Sequence, residues 1–293
     1  MPTFEYFRKK LEHTGDLLSV VKTMKTLSAV SIRQYEKAVE SLEDYNKTVV
    51  SGLHILFYRN PRISAQISRQ NTGKVGVILY GSELGMCGQF NDEIASFMTE
   101  NLHKQDISGE QTIVLTLGTR IAGLLEANNH AVERIFSLPG SVKAITGSVR
   151  ELLVQIEDLR TKQNLELIFL FYNKKTSGAS YTPHMIQLWP LNLDWLKELS
   201  QKEWESHCLP FYRTDERKLL SGLIKQYLFV SLYRAFAESL ASENASRLAA
   251  MQAAEKNIQE QMNELQTQYN HLRQSAITAE LLDIVSGFEA LSE

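Results

Sequence analysis

The chain has 293 residues, of which 43% are hydrophobic and 22% charged, and its formal net charge is −3. This composition is typical of a soluble globular protein, gives no general case for nucleic-acid binding, and includes no apolar run of about 20 residues that would span a membrane. We expect no signal peptide, because the N-terminus is charged early and lacks an apolar core segment. We also expect no metal or other cofactor, because Cys87 and Cys208 are far apart and no Cys/His cluster is present.

The first segment, about residues 3–58, predicts a long helix. No proline occurs between Pro2 and Pro61. Residues at three- and four-residue spacing form a heptad seam that requires a partner helix. The predicted seam residues are Met24, Ser28, Ser31, Tyr35, Ala38, Leu42, Tyr45 and Val49.

The middle of the chain alternates short apolar runs with helical segments. The predicted strands are residues 74–80, 112–117, 132–136, 165–172 and 185–189. Helices are expected from a cap at Asn91 or Asp92 to about Asn101, and over residues 119–127 and 147–162. This alternation predicts a parallel-type α/β domain of Rossmann-like topology, with a linker at about residues 194–213.

The last segment, about residues 214–290, predicts a second uninterrupted helix. Without a break it would be on the order of 110 Å long, far beyond one compact domain. Its predicted seam residues are Met251, Ala254, Ile258, Met262, Leu265, Tyr269, Leu272 and Ala276.

The two long helices together predict an antiparallel coiled coil, because winding them on each other buries both seams. The alternative is two independent amphipathic helices on a globular core. The predicted fold class is therefore α/β plus a long antiparallel coiled coil. The predicted domains are an N-terminal helix (1–60), the α/β domain with its linker (61–213) and a C-terminal helix (214–293).

A glycine-rich turn, residues 81–91, follows the first strand at the position of a phosphate loop. It has neither the Gly-Lys-Ser/Thr ending of a P-loop nor the dinucleotide glycine spacing, and Glu83 adds negative charge. Cys87 lies near a helix N-terminus, which favours a thiolate, but no His or Asp pattern accompanies it. A tight strand-to-helix turn and a packed thiol are the favoured interpretations, and the chain is expected to have no catalytic site.

Charged side chains form two groups on the long helices. Lys22, Lys25, Arg33 and Lys37 give the first helix a basic stripe, and the last helix carries Glu280, Asp283 and Glu289. Each group is either a solvated helix face or a track for a partner of opposite charge. Spacing alone leaves both interpretations open.

Three segments resemble the gamma subunit family of F-type ATP synthases. Residues 269–281 match the family pattern Tyr-Asn-x-x-Arg-Gln-x-x-Ile-Thr-x-Glu-Leu at every fixed position. Residues 85–91 resemble its Gly-Leu-Cys-Gly-x-Phe-Asn turn, and residues 22–25 resemble its Lys-Ala-Met-Lys segment. The family usually has Arg or Lys just before this turn, where this chain has Glu83 and Leu84. It also has a basic residue on the first helix where this chain has Ser31. These departures indicate a divergent lineage.

The resemblance implies the central rotor shaft of a rotary ATP synthase, which couples ion flow through the membrane ring to the catalytic beta subunits. The implied partners are the alpha and beta subunits, the epsilon subunit and the c-ring, with no nucleic acid. Membrane contact would come only through the complex, on the cytoplasmic face of a bacterial plasma membrane. The implied partner-contact residues are Lys22, Met24, Lys25, Arg273, Gln274, Thr278 and Glu280.

Two other classes of function remain open. A coiled-coil scaffold or adaptor with an α/β binding head has the same predicted fold, and the run from Arg273 to Leu281 argues against it. A nucleotide-dependent enzyme would use the turn at residues 81–88, but the turn lacks a lysine and an acid/base pair.

Overall fold

The computed structural model describes residues 4–60, 73–176, 180–204, 208 and 210–292, without the side chains of 110, 193 and 288–292. Pro61, which bounds the first predicted helix, and the side chain of Glu289 in the predicted acidic group lie outside these residues. The chain forms two compact units: one contains residues 4–28 and 248–292, and the other contains residues 29–247. This division cuts both long helices, so the three-domain division drawn from the sequence stays a prediction.

The helices and strands follow the predicted order. Their bounds are α1 (Phe4–Arg59), β1 (Lys74–Tyr80), α2 (Phe90–Lys104), a 3-10 turn (Gly109–Gln111), β2 (Thr112–Leu117), α3 (Thr119–Ala127), β3 (Val132–Phe136), α4 (Val142–Gln163), β4 (Leu165–Lys175), β5 (Tyr181–Trp189), α5 (Leu193–Gln201) and α6 (Glu216–Ser292). The predicted bounds of the two long helices differ from these by one or two residues.

The larger unit is built on one five-stranded sheet with the order β3-β2-β1-β4-β5. The first four strands in this order are parallel, but β5 pairs antiparallel with β4. The sheet is therefore mixed rather than fully parallel. The reason is the short connection from Lys175 to Tyr181, because a parallel crossover needs a dozen or more residues.

Alternate residues of β1 face two different hydrophobic cores. Ile78 and Tyr80 pack into a core with α1, α4 and α6, whereas Val77 and Leu79 pack into a core with α2 and α3. Because side chains of a strand point alternately to opposite faces, the continuous apolar run of β1 indicates a strand covered on both sides. The sheet is thus the middle of three layers, as the Rossmann-like prediction requires.

Several predicted boundaries are wrong. The predicted linker contains α5, whose Asn192 side chain accepts hydrogen bonds from the backbone N–H groups of Asp194 (2.8 Å) and Trp195 (3.2 Å). Its apolar residues pack with Leu53 and Phe57 in a small separate core. This helix has only nine residues, too few for a clear periodic signal.

The remaining boundary errors concern α2, α4 and the two ends of the β4–β5 hairpin. Helix α2 begins at Phe90, and the predicted cap Asn91 directs its side chain to Ser82 instead. Helix α4 begins at Val142, five residues before the predicted start. Strands β4 and β5 extend to Lys175 and back to Tyr181, because antiparallel pairing continues to the end of the hairpin.

Candidate partner-binding surface

In the smaller unit, α1 and α6 form an antiparallel coiled coil. Phe4 stacks on Tyr269 with ring centroids 4.6 Å apart, and Lys25 pairs with Glu255, so the two helices run in opposite directions. Buried and half-buried positions recur every three or four residues on both helices. Those that follow a regular four-three spacing on α1 are Phe7, Leu11, Thr14, Leu18, Val21, Lys25 and Ser28, and on α6 they are Met251, Glu255, Ile258, Met262, Leu265, Tyr269 and Leu272.

An ion pair lies within this seam. The Lys25 ammonium contacts the Glu255 carboxylate, and the two side chains are 33% and 25% exposed. A charged pair at seam positions contributes less stability than two apolar residues would, but it disfavours registers that leave either charge facing an apolar residue. The predicted seam residues Met24 and Ala254 are half-buried beside this pair, and the sequence pattern does not indicate Lys25 and Glu255 as seam positions.

Among the residues that the structure describes, no helix covers the end of α6. Phe4 lies against Tyr269, and every residue from Arg273 to Gly287 is exposed. Four of the predicted contact residues belong to this bare segment: Arg273, Gln274, Thr278 and Glu280. The Thr278 hydroxyl donates a 2.9 Å hydrogen bond to the Gln274 carbonyl. The other three side chains are exposed and make no hydrogen bond or ion pair within the described residues.

The bare segment also exposes an apolar stripe. Ile277, Leu281 and Ile284 follow one another at helical spacing and are 47%, 57% and 67% exposed, with Leu282 and Val285 beside them. Large contiguous apolar side chains on a surface mark an interaction site. The bare segment therefore combines an apolar stripe with the polar groups of Arg273, Gln274 and Glu280.

The remaining predicted contact residues lie on α1, well away from the bare segment. Lys22 is exposed and makes no ion pair within the described residues, and Met24 is half-buried. Lys25 faces Glu255, which precedes Arg273 by 18 residues on α6, so the two groups are about 27 Å apart along the helix axis. The predicted contact residues thus form two patches rather than one site.

In the larger unit, the glycine-rich turn packs against α6. The Ser246 hydroxyl donates a 2.6 Å hydrogen bond to the Cys87 carbonyl, and the Arg247 guanidinium donates a 3.4 Å bond to the Leu84 carbonyl. Within the turn, the Asn91 side-chain oxygen accepts a 2.9 Å bond from the Ser82 backbone N–H.

This packing fills the crevice where ligands bind in many open α/β sheets. Such ligands lie at the carboxyl ends of the strands, where the strand order reverses, and here the order reverses between β1 and β4. At the end of β4, the buried Tyr172 hydroxyl donates a 2.9 Å hydrogen bond to Glu238 of α6. Side chains of α6 therefore occupy the crevice, which supports the interpretation of residues 81–91 as a structural turn.

Buried charge at this contact is partly neutralised. Arg247 pairs with Glu243, and both side chains are at most 10% exposed. Burial raises the pKa of the Glu243 carboxyl, although the Arg247 charge and hydrogen bond act in the opposite direction. The Arg247 Nε is left without a partner among the described residues.

The geometry at Cys87 does not favour a nucleophile. Its sulfur is buried and lies 3.5 Å from the Ser82 hydroxyl and 3.7 Å from the Asn91 side-chain nitrogen. Burial raises the pKa of the thiol, with Ser82 opposing the shift. A raised pKa reduces the thiolate fraction, whereas a reactive cysteine needs it increased.

No group of three or more His, Cys, Asp and Glu side chains among the described residues could hold a metal ion. No helix in that part of the chain is long and apolar enough to cross a membrane.

These features define a protein that presents a coiled coil with a bare, partly apolar end, and that anchors its last helix on an α/β sheet. The chain belongs to the ATP synthase family, whose model matches residues 3–291, and its relatives are gamma chains.

The sequence relatives match along almost their whole length. The ATP synthase gamma chain of Buchnera aphidicola is 26% identical over 292 residues, which are 97% of each chain. That of Cupriavidus metallidurans is 28% identical over 291 residues, 97% of this chain and 98% of the relative.

Solved structures show the same fold at lower identity. A rotor chain of the Euglena gracilis mitochondrial ATP synthase superposes with a TM-score of 0.63 at 16% identity, covering 94% of this chain and 98% of that one. A central-stalk/c-ring chain from Tetrahymena thermophila gives a TM-score of 0.58 at 18% identity, covering 80% and 99%.

Proposed function

We propose that this chain is the central-stalk rotor subunit of a rotary F-type ATP synthase or ATPase and has no catalytic site of its own. The observation that carries the proposal is the bare end of α6, because residues 273–281 of the gamma-family motif fall on it. Residues that served only to pack the two helices together would be expected in the paired part of the coiled coil, not on an exposed segment.

The mechanism follows from the asymmetry of a two-helix shaft. A beta subunit that meets the shaft contacts a different set of side chains at each rotation angle. Differential contact shifts the population of that subunit's conformations, and about 1.4 kcal/mol of difference changes a population ratio tenfold. The shaft thereby transmits ion flow through the membrane ring to the catalytic subunits.

The two surface patches have separate roles in this proposal. Arg273, Gln274, Thr278 and Glu280 contact the alpha and beta subunits near the centre of the hexamer, and the apolar stripe of Ile277, Leu281 and Ile284 lies against its inner wall. Lys22 and Met24 contact an acidic segment of beta. Lys25 contributes mainly by holding the register of the coiled coil through Glu255, because a partner would have to compete for its charge.

The α/β sheet unit carries the remaining contacts. It contacts the epsilon subunit and the c-ring, which places the complex peripherally on the cytoplasmic face of a bacterial plasma membrane. No nucleic acid is involved. The anchoring of α6 by Ser246, Arg247 and Tyr172 lets torque pass from this unit to the last helix without slippage.

Co-purification tests the proposal. Because Phe4 lies beside the bare segment, a tag at the N-terminus risks blocking it, and we would insert an affinity peptide at the exposed turn around Asn129 instead. Gently solubilised membranes should yield the chain with alpha, beta and c-type subunits and with ATPase activity. Recovery with unrelated soluble proteins only would favour the scaffold interpretation.

A double substitution tests the contact itself. Arg273→Ala with Gln274→Ala should reduce ATP-driven ion pumping per ATP hydrolysed while the circular dichroism of the chain stays unchanged. The matched control is Lys256→Ala with Glu260→Ala, an exposed pair on the same helix inside the paired section. Unchanged pumping in the Arg273/Gln274 variant would refute the contact.

A further inference from the structure

A groove lies on the larger unit between α4, the end of β5 and the first turns of α6. Its cavity of about 470 Å³ is within the range of small-molecule sites. Six apolar side chains form its floor: Leu153, Ile156, Trp189, Leu220, Ile224 and Leu228. All except Ile156 are only partly buried, so the groove leaves apolar surface in contact with solvent.

Helix α6 runs along β4 in the same direction. Trp189 pairs with Ile168 near the start of β4 and shares the groove with Leu220, whereas Tyr172 near its end bonds to Glu238. Helix α4 runs the opposite way, because a one-residue turn at Asn164 joins it to β4. The last turn of α4 and the first turn of α6 therefore lie at the same end of the groove.

That end of the groove is cationic. It contains Arg160 from α4 and Arg217 from α6, and neither makes an ion pair within the described residues. The Arg160 guanidinium lies 4.3 Å from the centre of the Trp189 ring, which fixes its position. The backbone of the first turn of α6 adds no free positive charge, because the Asp215 carboxylate accepts hydrogen bonds from the Arg217 (3.0 Å) and Lys218 (3.2 Å) backbone N–H groups.

The middle of the groove carries an ion pair. Lys225 and Glu157 lie 3.8 Å apart there, and Glu157 is one helical turn before Arg160 on α4. Burial lowers the pKa of the Arg160 guanidinium, and the nearby Glu157 charge opposes this shift, so the group keeps its positive charge. The groove thus has an unpaired cationic end and an apolar floor.

We propose that this groove binds an amphipathic monocarboxylate, namely a medium-chain fatty acid. Its carboxylate lies between Arg160 and Arg217, which offer the forked donors that suit a carboxylate. Its alkyl chain lies on the apolar floor and points toward Lys225. Charge complementarity and the small volume of the cavity favour this occupant over an extended peptide, which would need hydrogen-bonding partners that the apolar floor does not provide.

The test follows the fluorescence of Trp189 in the full chain carrying Trp195→Phe and Trp204→Phe. These changes leave Trp189 as the only tryptophan, because the chain contains three. Octanoate, decanoate and dodecanoate should each give a saturable change below their micelle concentrations, and affinity should rise about fourfold for each added methylene. Decanol and decyltrimethylammonium should bind at least tenfold more weakly than decanoate.

Two substitutions locate the site. Arg160→Met keeps most of the side chain's volume and should weaken decanoate binding about tenfold or more, while Ser221→Phe should block the groove without a change of charge. Arg150→Met, at an exposed arginine on the same helix, is the matched control and should leave binding unchanged.

Three outcomes would overturn the proposal. They are the absence of saturable decanoate binding, equal effects of Arg160→Met and Arg150→Met, and binding of decanol as tight as that of decanoate. Binding of an acidic amphipathic peptide without binding of decanoate would show a protein-docking surface instead. The rotor role does not depend on this groove, so each proposal can fail alone.

Discussion

The side chain of Phe236 is the strongest single test of how α6 is anchored to the sheet. It is fully buried, and its ring meets that of Tyr80 on β1 edge to face with centroids 4.7 Å apart. Replacing a buried phenylalanine by alanine removes its transfer free energy and leaves a cavity, which together cost about 3–5 kcal/mol. About 0.5–1.5 kcal/mol of this belongs to the aromatic pair.

A graded series separates these contributions. Phe236→Leu should lower the free energy of unfolding by about 1 kcal/mol, because it retains most of the volume but loses the ring contact. Phe236→Ala should lower it by about 3–5 kcal/mol, which corresponds to a midpoint decrease of about 6–20 °C. Denaturant unfolding of the full chain, followed by circular dichroism, measures both. Phe229→Ala, at a partly buried position on the same helix, is the control.

The functional consequence is also measurable. In the assembled complex, a loosened anchor should reduce ion pumping per ATP hydrolysed more than it reduces ATP hydrolysis. A loss of unfolding free energy below about 1 kcal/mol for Phe236→Ala, or equal losses for Phe236→Ala and Phe229→Ala, would refute the inference that this ring anchors α6 to the sheet.

Three shorter predictions concern other parts of the chain. Leu265→Pro should destabilise the coiled coil by about 3 kcal/mol or more, because it interrupts a helix at a buried seam position; normal assembly of this variant would contradict the long helix. Gly118→Ala should reduce thermal stability, because φ is +105° and a β-carbon would lie 2.4 Å from the Ser82 carbonyl oxygen; an unchanged melting temperature would show that the turn can shift. Burial lowers the pKa of His184 below its ordinary 6.5, so stability should fall as pH drops from about 6.5 through the folded-state pKa, where the unfolded chain binds the proton more readily. His184→Gln should remove this loss in pH-dependent unfolding, and a matching change in His103→Gln, at an exposed residue, would contradict the assignment.

The sheet and the long helices were predicted well because their signals are local. The strand run at residues 74–80 and the helix at residues 119–127 match the structure residue for residue. Proline-free length and three-four periodicity likewise predicted both terminal helices. Local pattern failed for α5, where nine residues are too few to show periodicity, and for the direction of β5, which depends on the length of its connection.

The coiled-coil seam shows the limit of reasoning from pattern. Hydrophobicity favoured Met24 and Ala254 as seam residues, and both are half-buried, but the structure also brings their charged neighbours Lys25 and Glu255 together in the seam. The two charges are acceptable in the seam only because they meet each other, and a single helix viewed alone carries no information about its partner. Only a comparison of the two helices could have predicted this ion pair, from the opposite charges of Lys25 and Glu255 at seam positions.

For the candidate partner-binding surface, the sequence indicated the residues and the tertiary structure decided their exposure. The sequence motif indicated Arg273, Gln274, Thr278 and Glu280, but the pattern would also suit residues packed in the paired coil. Tertiary structure decided that they are exposed, because α1 ends its cover of α6 at the contact between Phe4 and Tyr269. The role of Ser246 was not visible at all, since its partner Cys87 lies 159 residues away.

By itself, the sequence determined which segments of this protein are helices and strands, and through its motifs the family to which it belongs. These properties depend on periodicity, breakers and short runs, which act over a few residues of the chain. Tertiary structure alone decided the register of the coiled coil, the filling of the sheet crevice by α6 and the exposure of the bare end. Each of these depends on which distant residues compete for the same space, and the free energy of such contacts is fixed only when both partners are in place.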